Sequence, residues 1–128
     1  MSWTATYDSR GCAVCFTDLT DSDEVLAAHR AIFVHPYEEG LQYVLADFSA
    51  VERLDLSLVD LLQMAEHDRQ YLLRNPTYLA AMIAPQAHVS ALMRTFAGYM
   101  EGSQHQSVIV SSRSDALAWL NDRLTSIA

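Results

Sequence analysis

Three times from residue 42 onward the chain runs through the same rhythm, and that rhythm constrains the fold more than any single residue does. A short apolar run is followed by a polar join and then by apolar residues at helical spacing. "QYVLAD" leads to a helix carrying Leu58, Leu61, Leu62, Ala65 and Leu72. "YLAAMIA" leads to one carrying Val89, Leu92, Met93, Phe96 and Met100, and "SVIV" to one carrying Leu117, Leu120, Leu124 and Ile127. Alternating strands and helices imply parallel strands joined by right-handed crossovers. Ahead of them "WTATY" alternates, with Trp3, Ala5 and Tyr7 on one face, as a half-buried strand does. "DSRG" then turns the chain, with Gly11 free to take positive φ, and "CAVCF" reads as a strand covered on both faces. These two runs predict an antiparallel hairpin. In "TDSDEVLAAHRAIF", Asp21 and Glu24 make a capping pair, and Val25, Leu26, His29, Ile32 and Phe33 share a helical stripe that Pro36 ends. The expected fold is α/β: a single mixed, mostly parallel sheet of about five strands with about four helices, in the order β-β-α-β-α-β-α-β-α. With no linker or low-complexity tract in view, residues 1–128 read as one domain.

Composition narrows the function classes. Apolar residues make up 51% of the 128 and charged residues 19%, a globular balance. The formal charge is −8 and the eight Lys and Arg residues are scattered, so nucleic acid and anionic membrane are not expected partners. "YLAAMIA" is far shorter than the ~20 apolar residues of a membrane span. "MSWTATYDSR" lacks the basic start and apolar core of a secretory signal, so a cytoplasmic location is expected. Cys12 and Cys15 stand alone as "CAVC"; on a strand they point to opposite faces, and no second ligand pair accompanies them, so they read as structural thiols.

"DFSAVERLDLSLVDLL", residues 47–62, is the most informative stretch. It reads as a strand ending at Asp47, a short polar bridge, and Asp55 and Ser57 at the mouth of a helix. Ser57 followed by Asp60 places a hydroxyl at the N-cap and a carboxylate three residues on, which satisfies otherwise unpaired amide hydrogens. The stretch resembles the signature of STAS domains, the fold of sporulation anti-sigma-factor antagonists. Their strand ends in Asp-Leu-Ser-Gly-Val and their helix opens with Asp-Ser-Ser-Gly-Leu. "DFSAV" and "DLSLV" are similar to these pieces and stand in the same register, with Asp47, Ser49 and Asp55 at matching positions. Leu56 replaces the first serine of the pair and Leu58 replaces the glycine, both bulky and apolar. "SRSDALAWL" is similar to the last strand-to-helix join of STAS-like relatives. The resemblance implies the same order of elements and places Ser57 where regulatory members carry a phosphorylated serine.

The remaining polar residues do not compose a reaction. Asp55 reads as a cap or an acidic contact, and "EHD" at 66–68 cannot converge from one helix because neighbours point about 100° apart. His29 reads as a core histidine, His35 with Glu38 lacks a third ligand, and His88 and His105 lie near element ends without companions. The glycines form neither GxGxxG nor GxxxxGK, and there is no GxSxG elbow. No catalytic residue, metal or cofactor is assigned. The first functional expectation is a non-enzymatic module docking a protein partner through the strand-end surface around Asp47, Ser49, Asp55 and Ser57, with phosphate at Ser57 as a switch. The alternative is a carrier or sensor of an apolar small molecule or lipid, in a pocket lined by Met82, Met93, Phe96 and Met100, since methionine adapts to irregular cavities. An enzyme is the third class, requiring ionisable side chains that meet only in the folded chain. The sequence does not fix an oligomeric state.

Overall fold

The computed structural model describes residues 3–37, 40–75, 77–101 and 106–127, with side chains as far as residue 124. Strands β1 (Trp3–Tyr7) and β2 (Gly11–Asp21) form the antiparallel hairpin. There follow α1 (Ser22–Val34), β3 (Tyr43–Asp55), α2 (Leu58–Arg74), β4 (Leu79–Ile83), α3 (Ala87–Tyr99), β5 (Gln106–Val110) and α4 (Arg113–Ile127). The sheet order is β1-β2-β3-β4-β5, with β2 to β5 mutually parallel. Element order, mixed sheet and strand count are those the sequence implies, and residues 43–46 lie in the central strand.

A monotonic strand order has a consequence. Successive right-handed crossovers deposit their helices on the same face. So α1, α2 and α3 all pack on one side, over a core that includes Cys12, Val14, Phe16, Val44, Phe48, Tyr78, Met82 and Phe96. Among the described residues, only α4 covers the other side, where Ala116, Leu120 and Leu124 pack on Leu45, Leu79, Ala81 and Ile83. Leu117, expected to face the core, is 41% exposed, and Ile127 lies beyond the described side chains. Among the described residues no helix packs on the rear of β2. Ala13 and Cys15 are therefore half-buried there, which corrects the expectation of a strand covered on both faces.

Three further expectations change. Gly11 does not take positive φ; it opens β2 against β3, where a Cβ would stand 2.1 Å from the Tyr43 carbonyl oxygen. The polar bridge after Asp47 is strand: β3 continues to Asp55 and pairs with Thr17–Asp21 of a longer β2. Two register shifts occur in this extension, between Cys15 and Thr17 and between Asp18 and Leu19, and each time β3 advances by one more residue than β2. Asp18 takes φ +58° at the second of them. Finally, the buried stripe of α2 is Leu61, Ala65, Asp68 and Leu72, leaving Leu58 and Leu62 outside.

Candidate functional site at the amino end of α2

The extended β2–β3 ribbon sets two helix starts side by side. Asp21 and Asp55 are paired across the ribbon, and each strand feeds its helix almost at once. Asp21 caps α1, its carboxylate accepting the Glu24 amide at 3.0 Å. Ser57 caps α2: its Oγ accepts the Asp60 amide at 3.2 Å and donates to Asp60 Oδ2 at 2.9 Å. Ser22 ties the two together, accepting the Ser57 amide at 3.0 Å and donating to the Asp55 carbonyl at 3.4 Å. Ser57 itself faces solvent, as a cap at an open rim must. Asp55 is exposed, with Arg53 at 4.0 Å. A pair so exposed contributes little to stability.

Asp47 and Ser49 belong to a different neighbourhood. The Ser49 amide and hydroxyl both donate to Asp47 Oδ1, at 2.9 and 2.6 Å, and Asp47 Oδ2 meets Arg113, the first residue of α4, at 3.5 Å. Between these residues and Asp55 lies about 20 Å of strand path at 3.3 Å per residue. The four residues read from the sequence as one surface therefore stand as two pairs. The crevice beyond the ends of β4 and β5 is elsewhere again: a groove of about 310 Å³ lined by Pro85, Ser90, Arg94 and Ser111.

Beside Ser57 the surface is apolar. Leu58 is 57% exposed, Val59 64% and Leu62 45%. Residues three and four apart share a helix face, so the three make a continuous stripe over the first two turns of α2. Asp21, Asp23, Asp55 and Glu52, all exposed, lie on the elements around it.

The core under α1–α3 is not completely filled. A cavity of about 80 Å³ is lined by Val14, Ile32, Phe48, Leu61 and Met64, with Met82, Met93 and Phe96 from the expected pocket. Met100 is buried but does not line it. His29 and Asp68 also face this cavity. They meet across α1 and α2, with His29 Nε2 at 2.7 Å from Asp68 Oδ1. His67 Nδ1 is 3.9 Å from the same oxygen. His67 and Asp68 of "EHD" thus do converge with His29, because the neighbouring helix supplies the meeting point; Glu66 and His67 both stay exposed, Glu66 bonded to Gln70. Sequence reading missed this cluster although a signal existed. Asp68 falls on the stripe Leu61–Ala65–Leu72, and a carboxylate at a core position needs a partner.

The other titratable candidates are dispersed. His35 stacks on Tyr7 at 4.1 Å between ring centroids, and His88 is exposed in the first turn of α3. Glu38 and His105 lie outside the described residues. Cys12 and Cys15 are free thiols on opposite faces, Cys12 fully buried. No described helix is long and apolar enough to cross a membrane.

No protein-family profile matches the sequence, and no curated protein matches it either. Among solved structures, the chain is similar to an uncharacterised protein of the DUF3478 family with a SpoIIAA-like fold from Shewanella loihica PV-4. The two share 14% identity over 92% of this chain and 91% of that one, with a TM-score of 0.49. A likeness of that identity and TM-score does not extend to a ligand or partner.

Proposed function

We propose that the protein is a non-enzymatic interaction module that docks a partner protein through the amino end of α2, around Asp55 and Ser57. One observation carries this reading: Leu58, Val59 and Leu62 lie in solvent in a continuous stripe against the capped helix start. A helix needs apolar residues on one face to pack, and Leu61, Ala65 and Leu72 already serve that purpose. Exposed apolar side chains in a contiguous patch are characteristic of interaction surfaces. The carboxylates around the stripe and the net charge of −8 favour a partner whose apolar centre is rimmed by Lys and Arg. Phosphate on the solvent-facing Ser57 hydroxyl would add roughly −1.5 to −2 charge at the rim. The test is a photo-crosslinking residue placed at 59 and, as control, at 73, the far end of the same helix, in cells of the natural host. A discrete adduct from position 59 alone supports docking; equal labelling from both positions, or none from 59, rejects it.

A second reading is favoured by the cavity beside Met82, Met93 and Phe96. An engineered cavity of about 150 Å³ holds benzene, so ~80 Å³ suits a smaller apolar guest and gives no room for a lipid tail. Native mass spectrometry of freshly purified protein, followed by xenon titration, tests it. A protein that carries no added mass and takes up no xenon has no such guest.

A further inference from the structure

We propose that His29, His67 and Asp68 are a binding site for a divalent transition-metal ion of the zinc class, at the seam between α1 and α2. Their ligand atoms, two imidazole nitrogens and a carboxylate oxygen, all lie within 4.8 Å of one another. Tetrahedral coordination at bond lengths of 2.0–2.2 Å requires ligand separations of about 3.3 Å. The present separations from Asp68 Oδ1 bracket that value, 2.7 Å to His29 and 3.9 Å to His67. An ion entering between them lengthens the first and shortens the second through small side-chain rotations. His67 is 53% exposed, while His29 and Asp68 are 14% and 5% exposed and already positioned. Aromatic neighbours restrict where the imidazoles can go. Phe33 packs against both rings, at 4.6 Å from His29 and 4.8 Å from His67. Two imidazole nitrogens beside a carboxylate suit zinc and its first-row neighbours, whereas magnesium and calcium take oxygen ligands. Three protein ligands leave a fourth position for water, and the apolar cavity lined by His29 and Asp68 adjoins it.

A plain hydrogen bond tethering α1 to α2 would explain His29 and Asp68 and would leave His67 without a role in the cluster. This distinguishes the two accounts. The site is also independent of docking, since His67 lies about 15 Å along α2 from Ser57 at 1.5 Å per residue. The probe is Co²⁺ added to the full-length chain, followed by its visible absorption bands and their displacement by Zn²⁺. Stoichiometric Co²⁺ bands are expected, weakened more than about tenfold in both His67→Ala and Asp68→Asn. His67→Ala removes an exposed side chain and should leave the far-ultraviolet circular dichroism unchanged, so it remains informative if Asp68→Asn fails to fold. Cys15→Ser should leave the bands intact. Absence of bands in the parent protein, bands unchanged in His67→Ala, or bands abolished by Cys15→Ser would each overturn the assignment.

Discussion

The hydroxyl of Ser57 holds two bonds to one neighbour, accepting the Asp60 amide and donating to its carboxylate. Removing it in Ser57→Ala leaves an amide without a partner at the start of α2 and should cost about 1 kcal/mol in denaturant unfolding. Phosphorylation has a mixed effect at the same atom. The helix dipole favours the phosphate, while the donated proton is lost and the new charge faces Asp60. The thiols make a second residue-scale case. Burial outweighs the opposing hydrogen bond with Tyr37 and, with a smaller push from the Asp8 carboxylate, raises the Cys12 thiol from its ordinary 9.0 to about 11. The folded chain therefore holds that proton more tightly than the unfolded chain. This stabilising contribution is complete below pH 9 and is lost as pH rises through about 11. In a disulfide-exchange assay at pH 8, Cys15 on the open rear of β2 should react and Cys12 should react only after denaturation. Rapid labelling of both thiols in the folded protein would contradict the burial of Cys12.

At the scale of elements, β3 holds both the clearest and the most hidden information in the chain. Its first half alternates, Val44 and Ala46 toward α1–α3 and Leu45 toward α4, so the strand is legible from "QYVLAD". In its second half the buried residues are Phe48, Val51 and Leu54, three apart. Each bulge adds one residue to the two-residue pleat, so a spacing of three arises where a period of two is expected. Such a pattern matches neither strand nor helix and reads as a polar join. The site was legible to the same degree: capping chemistry located Ser57, whereas the His29–Asp68 contact depends on how two helices cross and leaves only a misplaced carboxylate in the sequence. The bulged segment is held from outside by Gln86, whose Nε2 donates to the carbonyls of Phe48 at 2.9 Å and Val51 at 2.7 Å. Gln86→Ala leaves both carbonyls short of a donor, and a loss of about 1–3 kcal/mol is expected. Hydrogen exchange should rise through residues 48–54 and change little in β4. Uniform exchange across the sheet would mean that Gln86 does not anchor the bulges.

Among the described residues the molecule is lopsided, with three helices on one face of the sheet and one on the other, and the central strands serve both cores. Leu45 of β3 and Leu79, Ala81 and Ile83 of β4 point to α4, while Val44, Ala80 and Met82 on the same strands point to α1–α3. Neither core can be lost without exposing the rear of strands on which the other depends. Stability should therefore be shared across the sheet, and a defect under α4 should be felt as global unfolding. Leu61, fully buried under α2, and Leu120, 3% exposed under α4, are the matched probes. Each truncated to alanine should lower the free energy of unfolding by about 2–5 kcal/mol, with a single transition and an unchanged denaturant dependence. Leu117→Ala, on the exposed side of α4, should cost far less. The measurement is urea unfolding in a Trp3→Phe background, followed in parallel by Trp119 fluorescence on α4 and by circular dichroism of the whole chain. Coincident curves in Leu120→Ala identify one cooperative unit. An early fluorescence transition that leaves the dichroism intact would mean that α4 peels away alone, and that the three-helix face sustains the sheet without it.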